Sequence, residues 1–249
     1  MLPSIETSTT AHPTFAGGLM NQQIRTLPTP AIGAANPRQL AVLRNTYGLL
    51  ALSMVPTVLG AWVGVSTGVM NMLGAGMSLV VFLAGAFGFM FAVEKTKHSG
   101  TGVLVLLAFT FFMGLMLSRL VGQVLGMRNG ASLVMTAFGG TAAIFTVMAT
   151  LATVIKRDLS GMGKFLMIGA LVVFVAMIAN FFLQSSALML ALLVLCLGIF
   201  SAFILYDVRR VLDGGETNYI SATMAIYLSV FNVFQSLLAL LGIFGGDRE

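Results

Sequence analysis

Charge is what this 249-residue sequence has least of: Asp, Glu, Lys and Arg together make up 8% of it. A soluble domain carries about 25% charged residues, so a water-soluble globular fold of this length would lack a surface. Cysteine is nearly absent as well. Cys196 is alone, which excludes an internal disulfide. The two histidines, His12 and His98, both lie outside the apolar stretches. A serine protease working inside a membrane needs a histidine base at depth, and the sequence offers none. No Cys/His group has metal-ligand spacing, and no glycine-rich phosphate loop is present. The expectation is a protein without catalytic residues, cofactor or resident metal, and not an enzyme. The net charge of +5 comes without the aromatic and basic surface module that binds bases, so no nucleic-acid partner is expected. The opening residues also lack the basic start and apolar core of a signal peptide.

What the sequence has in abundance is apolar length, with 58% hydrophobic residues. Seven apolar runs follow one another: Leu43 to Val65, Met72 to Val93, Val103 to Val121, Ala131 to Ile155, Phe165 to Leu183, Ala187 to Tyr206 and Ala222 to Phe244. Each is near the 20 or so residues that cross a bilayer as a helix. Transmembrane strands would be about half as long and would alternate. Backbone groups in lipid must bond internally, so the fold predicted is all-α: a polytopic membrane protein with a seven-transmembrane-helix bundle. Residues 1–41 hold Pro3, Pro13, Pro28, Pro30 and Pro37, leaving only Pro56 of the six prolines elsewhere. With their Ser, Thr and Gly they read as a disordered cytoplasmic tail. Residues 42–246 form the bundle and 247–249 a short external C-terminus.

Basic residues give the orientation. Arg25, Arg38, Arg44, Lys95, Lys97, Lys156, Arg157, Lys164, Arg209 and Arg210 fall on the first side of alternating connections, against Arg119, Arg128 and Arg248 on the other. By the positive-inside rule the N-terminus is cytoplasmic and the C-terminus outside.

Small and polar residues mark packing faces. Gly60, Gly64 and Gly68 are spaced by four at the end of the first run, where small residues let helices approach closely in lipid. In the last run, Asn218, Ala222, Ala225, Ser229, Asn232, Ser236 and Ala239 alternate steps of four and three, one face of a helix. That face reads either as close packing or as a polar path along a helix surrounded by protein. Asn180 and Gln184, one turn apart, read as partners for a neighbouring helix or as pore lining. Arg119 reads as snorkelling to the outer interface. Glu216 follows a Gly pair and precedes the last run, where an acid suits a helix N-terminus.

Asp207 is the charge that matters most. It ends the sixth run, and an acid at the bilayer centre costs about 2.5–3.5 kcal/mol on insertion scales. Two readings stay open: an interfacial acid that pairs with Arg210 or is wet, or an acid facing the bundle interior beside the polar stripe, serving as a cation or proton site. Tyr206-Asp207 also matches half of an intramembrane aspartyl protease. The other half would have to be Gly246-Asp247, but Phe244 stands where a glycine belongs, so that reading is set aside.

Several of these pieces together resemble the Bax inhibitor-1 family, and within it the proteobacterial YccA-like branch. They are Val42 to Tyr47, Gly139-Gly140-Thr141, Lys156 to Ser160, and above all Leu205-Tyr206-Asp207, Gly214 to Ile220, Tyr227-Leu228-Ser229 and Asn232. The resemblance implies a seven-helix fold with a central seventh helix in the bacterial inner membrane. It also implies two functions. One is binding to the membrane AAA protease FtsH and its associated regulators, moderating degradation of membrane proteins; a substrate role for the chain itself is a separate expectation. The other is a calcium- or cation-permeable leak gated by two aspartates. The first aspartate maps to Asp207. The second maps to Ser229, so the proton sharing of a carboxylate pair is not available here, and Ca2+ gating of that type would be altered. The candidate ion, proton or gating residues are Asp207, Ser229 and Asn232; the motif loop supplies Arg210, Glu216, Asn218 and Tyr219. The tail, with a reach of roughly 35 Å for a flexible chain of about 40 residues, is a candidate handle for the protease.

Overall fold

The computed structural model describes residues 36–155 and 159–245. Among the described residues every regular element is helical: α1 Pro37–Thr67, α2 Val69–Met72, α3 Gly74–Thr96, α4 Thr101–Leu125, α5 Gly130–Val154, α6 Ser160–Leu183, α7 Ser186–Leu212 and α8 Tyr219–Gly245. Seven of them, all but the single-turn α2, are long and apolar enough to cross a membrane. They match the seven apolar runs one for one.

The helices overrun the apolar runs, because polar residues at their ends satisfy the backbone. α1 starts at Pro37, six residues before its run. Pro37 occupies a first-turn position whose N–H would be unbonded anyway. Asn36 accepts from Arg38 N–H, while Asn36 N–H donates to Gln39 Oε1 at 2.9 Å, a capping box. The other end of α1 stops at Gly68, whose φ of 65° needs no Cβ. Gly68 is therefore a helix stop and not the third packing glycine. α7 continues past Tyr206 to Leu212 and carries Asp207, Arg209 and Arg210 within it.

Packing follows the small residues. A Cβ on Gly60 would meet the carbonyl of Phe111, one on Gly64 would meet Ser118, and one on Gly114 of α4 would meet the carbonyl of Thr57. Glycines on both helices thus let α1 and α4 touch backbone to backbone, the close approach that substitutes in lipid for a hydrophobic drive. α8 packs against α7, α5, α1, α4 and α3, whereas α6 packs against α7 alone.

Cross-links show which ends lie together. Asn218 Nδ2 donates to Lys97 O at 2.7 Å, joining the start of α8 to the end of α3. Arg209 Nη1 donates to Ala152 O at 3.3 Å, joining α7 to the end of α5. Gly214, after α7, lies against the Gln39 side chain at the start of α1. The connections richest in Lys and Arg therefore share one end of the bundle. Lys156, Arg157, Arg25 and Arg248 lie outside the described residues.

Candidate functional site

The site is built where α7 meets α8 near that basic end. α7 continues five residues beyond Asp207, so the carboxylate sits about 7 Å of helix rise inside the helix end. Its side chain turns inward and is 8% exposed. Ser229 Oγ, one helix over, lies 3.5 Å from Asp207 Oδ2, and the same hydroxyl lies 3.2 Å from Ala225 O. The longer contact is a weak bond, so the serine's single proton is shared between a helix carbonyl and the acid. Asn232, further along the stripe, spends its amide on Leu228 O of its own helix at 2.8 Å. The structure thus brings Asp207 and Ser229 together and leaves Asn232 apart.

The loop between α7 and α8 folds back over the end of α7. Gly214 adopts φ 77°, and the N–H groups of Gly215 and Glu216 both point at Arg210 O, at 2.9 and 3.3 Å. That return places Glu216 beside Arg210, with Nη2 to Oε2 at 3.6 Å, while Glu216 Oε1 accepts from Asn218 N–H at 2.9 Å. Asn218 in turn accepts from Ile220 and Ser221 N–H at 2.9 and 3.2 Å, so it closes two of the open donors of α8. The motif loop is a helix cap tied to two other helices. Tyr219 opens α8 and packs against the main apolar core.

Between these elements lies a cavity of about 300 Å³, lined by Asp207, Arg210 and Glu216 together with Glu94, Lys97 and Ser221. Three of these were not singled out from the sequence. Glu94 and Lys97 form an ion pair of their own at the end of α3. Their i, i+3 spacing is legible, but not the fact that α3 brings them to α7. Ser221 Oγ is buried without a hydrogen-bond partner, and nothing in the local sequence signals that.

Tyr227 was quoted only as part of a motif, yet it joins three helices. It is 1% exposed. Its hydroxyl lies 2.9 Å from Thr57 Oγ1 of α1 and 3.4 Å from Thr110 O of α4. Thr57 donates its own proton to Ser53 O at 2.8 Å, so the tyrosine's single hydrogen is shared between Thr57 Oγ1 and the more distant Thr110 O.

One expectation is corrected. Asn180 and Gln184 do not act as a pair on one helix face. α6 stops at Leu183, and Gln184 turns left-handed at φ 51°. Asn180 Oδ1 instead accepts from Ser185 N–H at 3.1 Å, closing the turn into α7. Arg119 is exposed on α4, six residues before its end at Leu125, a position from which its long side chain can reach the helix end. Asp247, the residue weighed for an aspartyl protease pair, lies outside the described residues.

Comparison with known proteins fits this architecture. An Escherichia coli K12 protein named Modulator of FtsH protease YccA is 38% identical over 206 residues, covering 83% of this chain and 91% of the relative. An uncharacterised protein of Neisseria meningitidis serogroup A is 36% identical over 209 residues, covering 83% of this chain and 92% of the relative. An uncharacterised membrane protein of Vibrio cholerae is 34% identical over 206 residues, covering 83% and 91%. Residues 39–246, which hold the cavity and all seven long helices but for the first two residues of α1, match the family described as inhibitor of apoptosis-promoting Bax1, and the chain belongs to this Bax inhibitor-1 family.

Proposed function

We propose that this protein resides in the bacterial inner membrane and binds and moderates a membrane AAA protease of the FtsH type, without being an enzyme itself. The single observation that supports this most is the 38% identity to the E. coli modulator across 83% of this chain and 91% of the relative. Another E. coli relative at the same identity carries the name inner membrane protein. In this reading the N-terminus is cytoplasmic and the C-terminus outside, by the positive-inside rule. α8 serves as the axis of the bundle, consistent with its five packing partners. The connection between α7 and α8 then faces the cytoplasm, on the side of the protease's unfolding ring.

The test is co-purification of the full chain with FtsH from membranes, together with the half-life of an FtsH membrane substrate in cells with and without this protein. Association, with a longer substrate half-life when the protein is present, is the expected result. Unchanged turnover at matched expression overturns the reading. Residues 1–35 lie outside the described residues; the tail enters as a handle for degradation of the protein itself. Its removal should lengthen the protein's own half-life in cells containing FtsH, and an unchanged half-life dismisses the handle.

A second reading, a cation or calcium leak through the bundle, is favoured by one observation: a buried acid, 8% exposed, lining a cavity near the end of α7. It is checked by Ca2+ flux into liposomes holding the wild type or Asp207→Asn. Flux that depends on Asp207 supports it. No flux above empty liposomes, with protein shown to be inserted, removes it.

A further inference from the structure

A second cavity, of about 370 Å³, opens at the other end of the bundle, where the end of α6, the start of α7 and the end of α8 meet. Its polar wall is Asn180, Gln184, Ser185 and Ser186, and no charged residue lines it. Asn180 is 8% exposed. Both of its oxygens are spent on the turn between the helices: Asn180 O accepts from Gln184 N–H at 2.8 Å, and Oδ1 accepts from Ser185 N–H at 3.1 Å. The second bond fixes which end of the side-chain amide is oxygen. Asn180 Nδ2 is left with two hydrogens and no bond to any described residue. Nor is it sealed in the interior: among the described residues the sealed side-chain polar atom without a partner is Ser221 Oγ. The amino group therefore opens into the cavity that Asn180 lines.

The start of α7 brings further donors to the same place. Ser185 satisfies the N–H of Leu188 through Oγ at 3.3 Å and that of Met189 through its carbonyl at 2.9 Å. The N–H groups of Ser186 and Ala187, ahead of them, have no partner among the described residues. No acid stands in that first turn, so the positive end of a 27-residue helix is left uncompensated. Donors without a cation suit an anion of low charge, since a helix end is equivalent to about half an elementary charge. A carboxylate offers only two oxygens, whereas donors converge here from two helices. The remaining wall is apolar, formed by Met189, Leu190 and Ile243, and the neighbouring Phe182 and Leu183 stand exposed. We propose that this cavity binds a phosphodiester, a monoanion with four oxygens, to which Asn180 Nδ2 and the start of α7 donate, with an alkyl chain along Met189, Leu190 and Ile243. The same chemistry is offered by a phospholipid headgroup at the membrane surface and by a soluble phosphate ester.

The site is independent of the protease and leak readings, because neither protease association nor ion flux enters its test. Only the leaflet depends on the orientation proposed above, which puts this end of the bundle outside.

The experiment uses the full chain in dodecyl maltoside micelles, stripped of co-purified lipid. Binding of dihexanoyl phosphatidylglycerol is followed by the broadening of its phosphorus NMR line, with protein-free micelles as the blank. Dihexanoylglycerol, which lacks the phosphate, and hexanoate, which carries a carboxylate, serve as competitors. Saturable binding that neither competitor displaces at equimolar concentration is the expected result. Asn180→Asp keeps an oxygen to accept from Ser185 N–H but replaces the donor by a negative charge. It should weaken binding by about tenfold or more, the size of a lost hydrogen bond to a charged group. Gln184→Lys adds a cation at the exposed rim and should strengthen binding severalfold, an effect that damage to the fold would not produce. Glycerophosphoglycerol, the headgroup without its chains, separates the two sources: displacement of the lipid by an equimolar amount assigns the soluble ester, and retention of the lipid assigns the membrane headgroup. Broadening no greater than in the blank, displacement by equimolar dihexanoylglycerol or hexanoate, or unchanged affinity in Asn180→Asp overturns the proposal.

Discussion

α6 and α8 are both apolar helices of membrane-crossing length, yet they hold opposite places in the bundle. α6 touches one neighbour, and Phe165, Ile168, Leu171, Val172 and Val175 stand exposed along it. α8 touches five neighbours, and Ile226, Val233 and Leu238 on it are completely buried. In water the more apolar helix would be the buried one. Lipid tails, however, solvate leucine as well as a protein interior does, so apolar content alone draws no helix inward. α8 differs in carrying Ala222, Ser229 and Ser236 buried among its large residues. Small side chains shorten the distance between helices, and hydroxyls find partners only in protein.

The comparison can be broken most severely at its closest contact. Gly114→Leu should abolish the α1–α4 approach, because the added Cβ meets the Thr57 carbonyl, a backbone group that cannot step aside. The expected readout is loss of the monodisperse, folded species after extraction in mild detergent, with Gly139→Leu as control, since nothing lies near Gly139. Next in size, Leu238→Ala in α8 should cost about 2 kcal/mol, the lower end of the range for a buried leucine, measured by reversible unfolding in bicelles. Leu171→Ala on the exposed face of α6 should cost a few tenths of that. Similar costs at the two positions would end the distinction between the helices.

Smaller effects sharpen the picture. Asn218→Ala removes the side chain that caps α8 and reaches Lys97 O, and should destabilise the protein by about 1 kcal/mol. It should also speed hydrogen exchange at Ile220 and Ser221 ahead of the rest of α8. Tyr227→Phe keeps the ring contact with Phe109, at 6.0 Å between centroids, and deletes only the hydroxyl. The expected loss is about 0.6 kcal/mol, typical of hydrogen bonds between membrane helices. Thr57→Val in the same background should then add little, and an additive loss would show that the two hydroxyls are not partners.

Much of the site was visible in the sequence one helix at a time. The stripe from Asn218 to Ala239 predicted a face, and Asp207 stood out as an acid at the end of an apolar run. Its depth was not visible. The run ends in apolarity at Tyr206, but the helix continues because Arg209 is held by Asp213, at 2.9 Å, and by the Ala152 carbonyl. The latter partner lies 57 residues away. Lys97 and Glu94 were countable as loop charges; their place beside Asp207 depends on the bond between Asn218 and Lys97 O, across 121 residues. Gly68 shows the converse error: its spacing matched a packing motif, while its backbone conformation made it a stop.

By itself the sequence determined the class of the protein: a chain with 8% charged residues and seven apolar runs can satisfy its backbone in lipid only as helices. The order of those helices and the polar face of the last one came with it, since both are properties of periodicity. Tertiary structure alone decided which helix packs against many others and which against one, and which charges line the cavity beside Asp207. Those outcomes depend on distances between residues far apart in the chain. In a solvent as apolar as the side chains, such distances are set by the fit of small and polar groups and not by hydrophobicity.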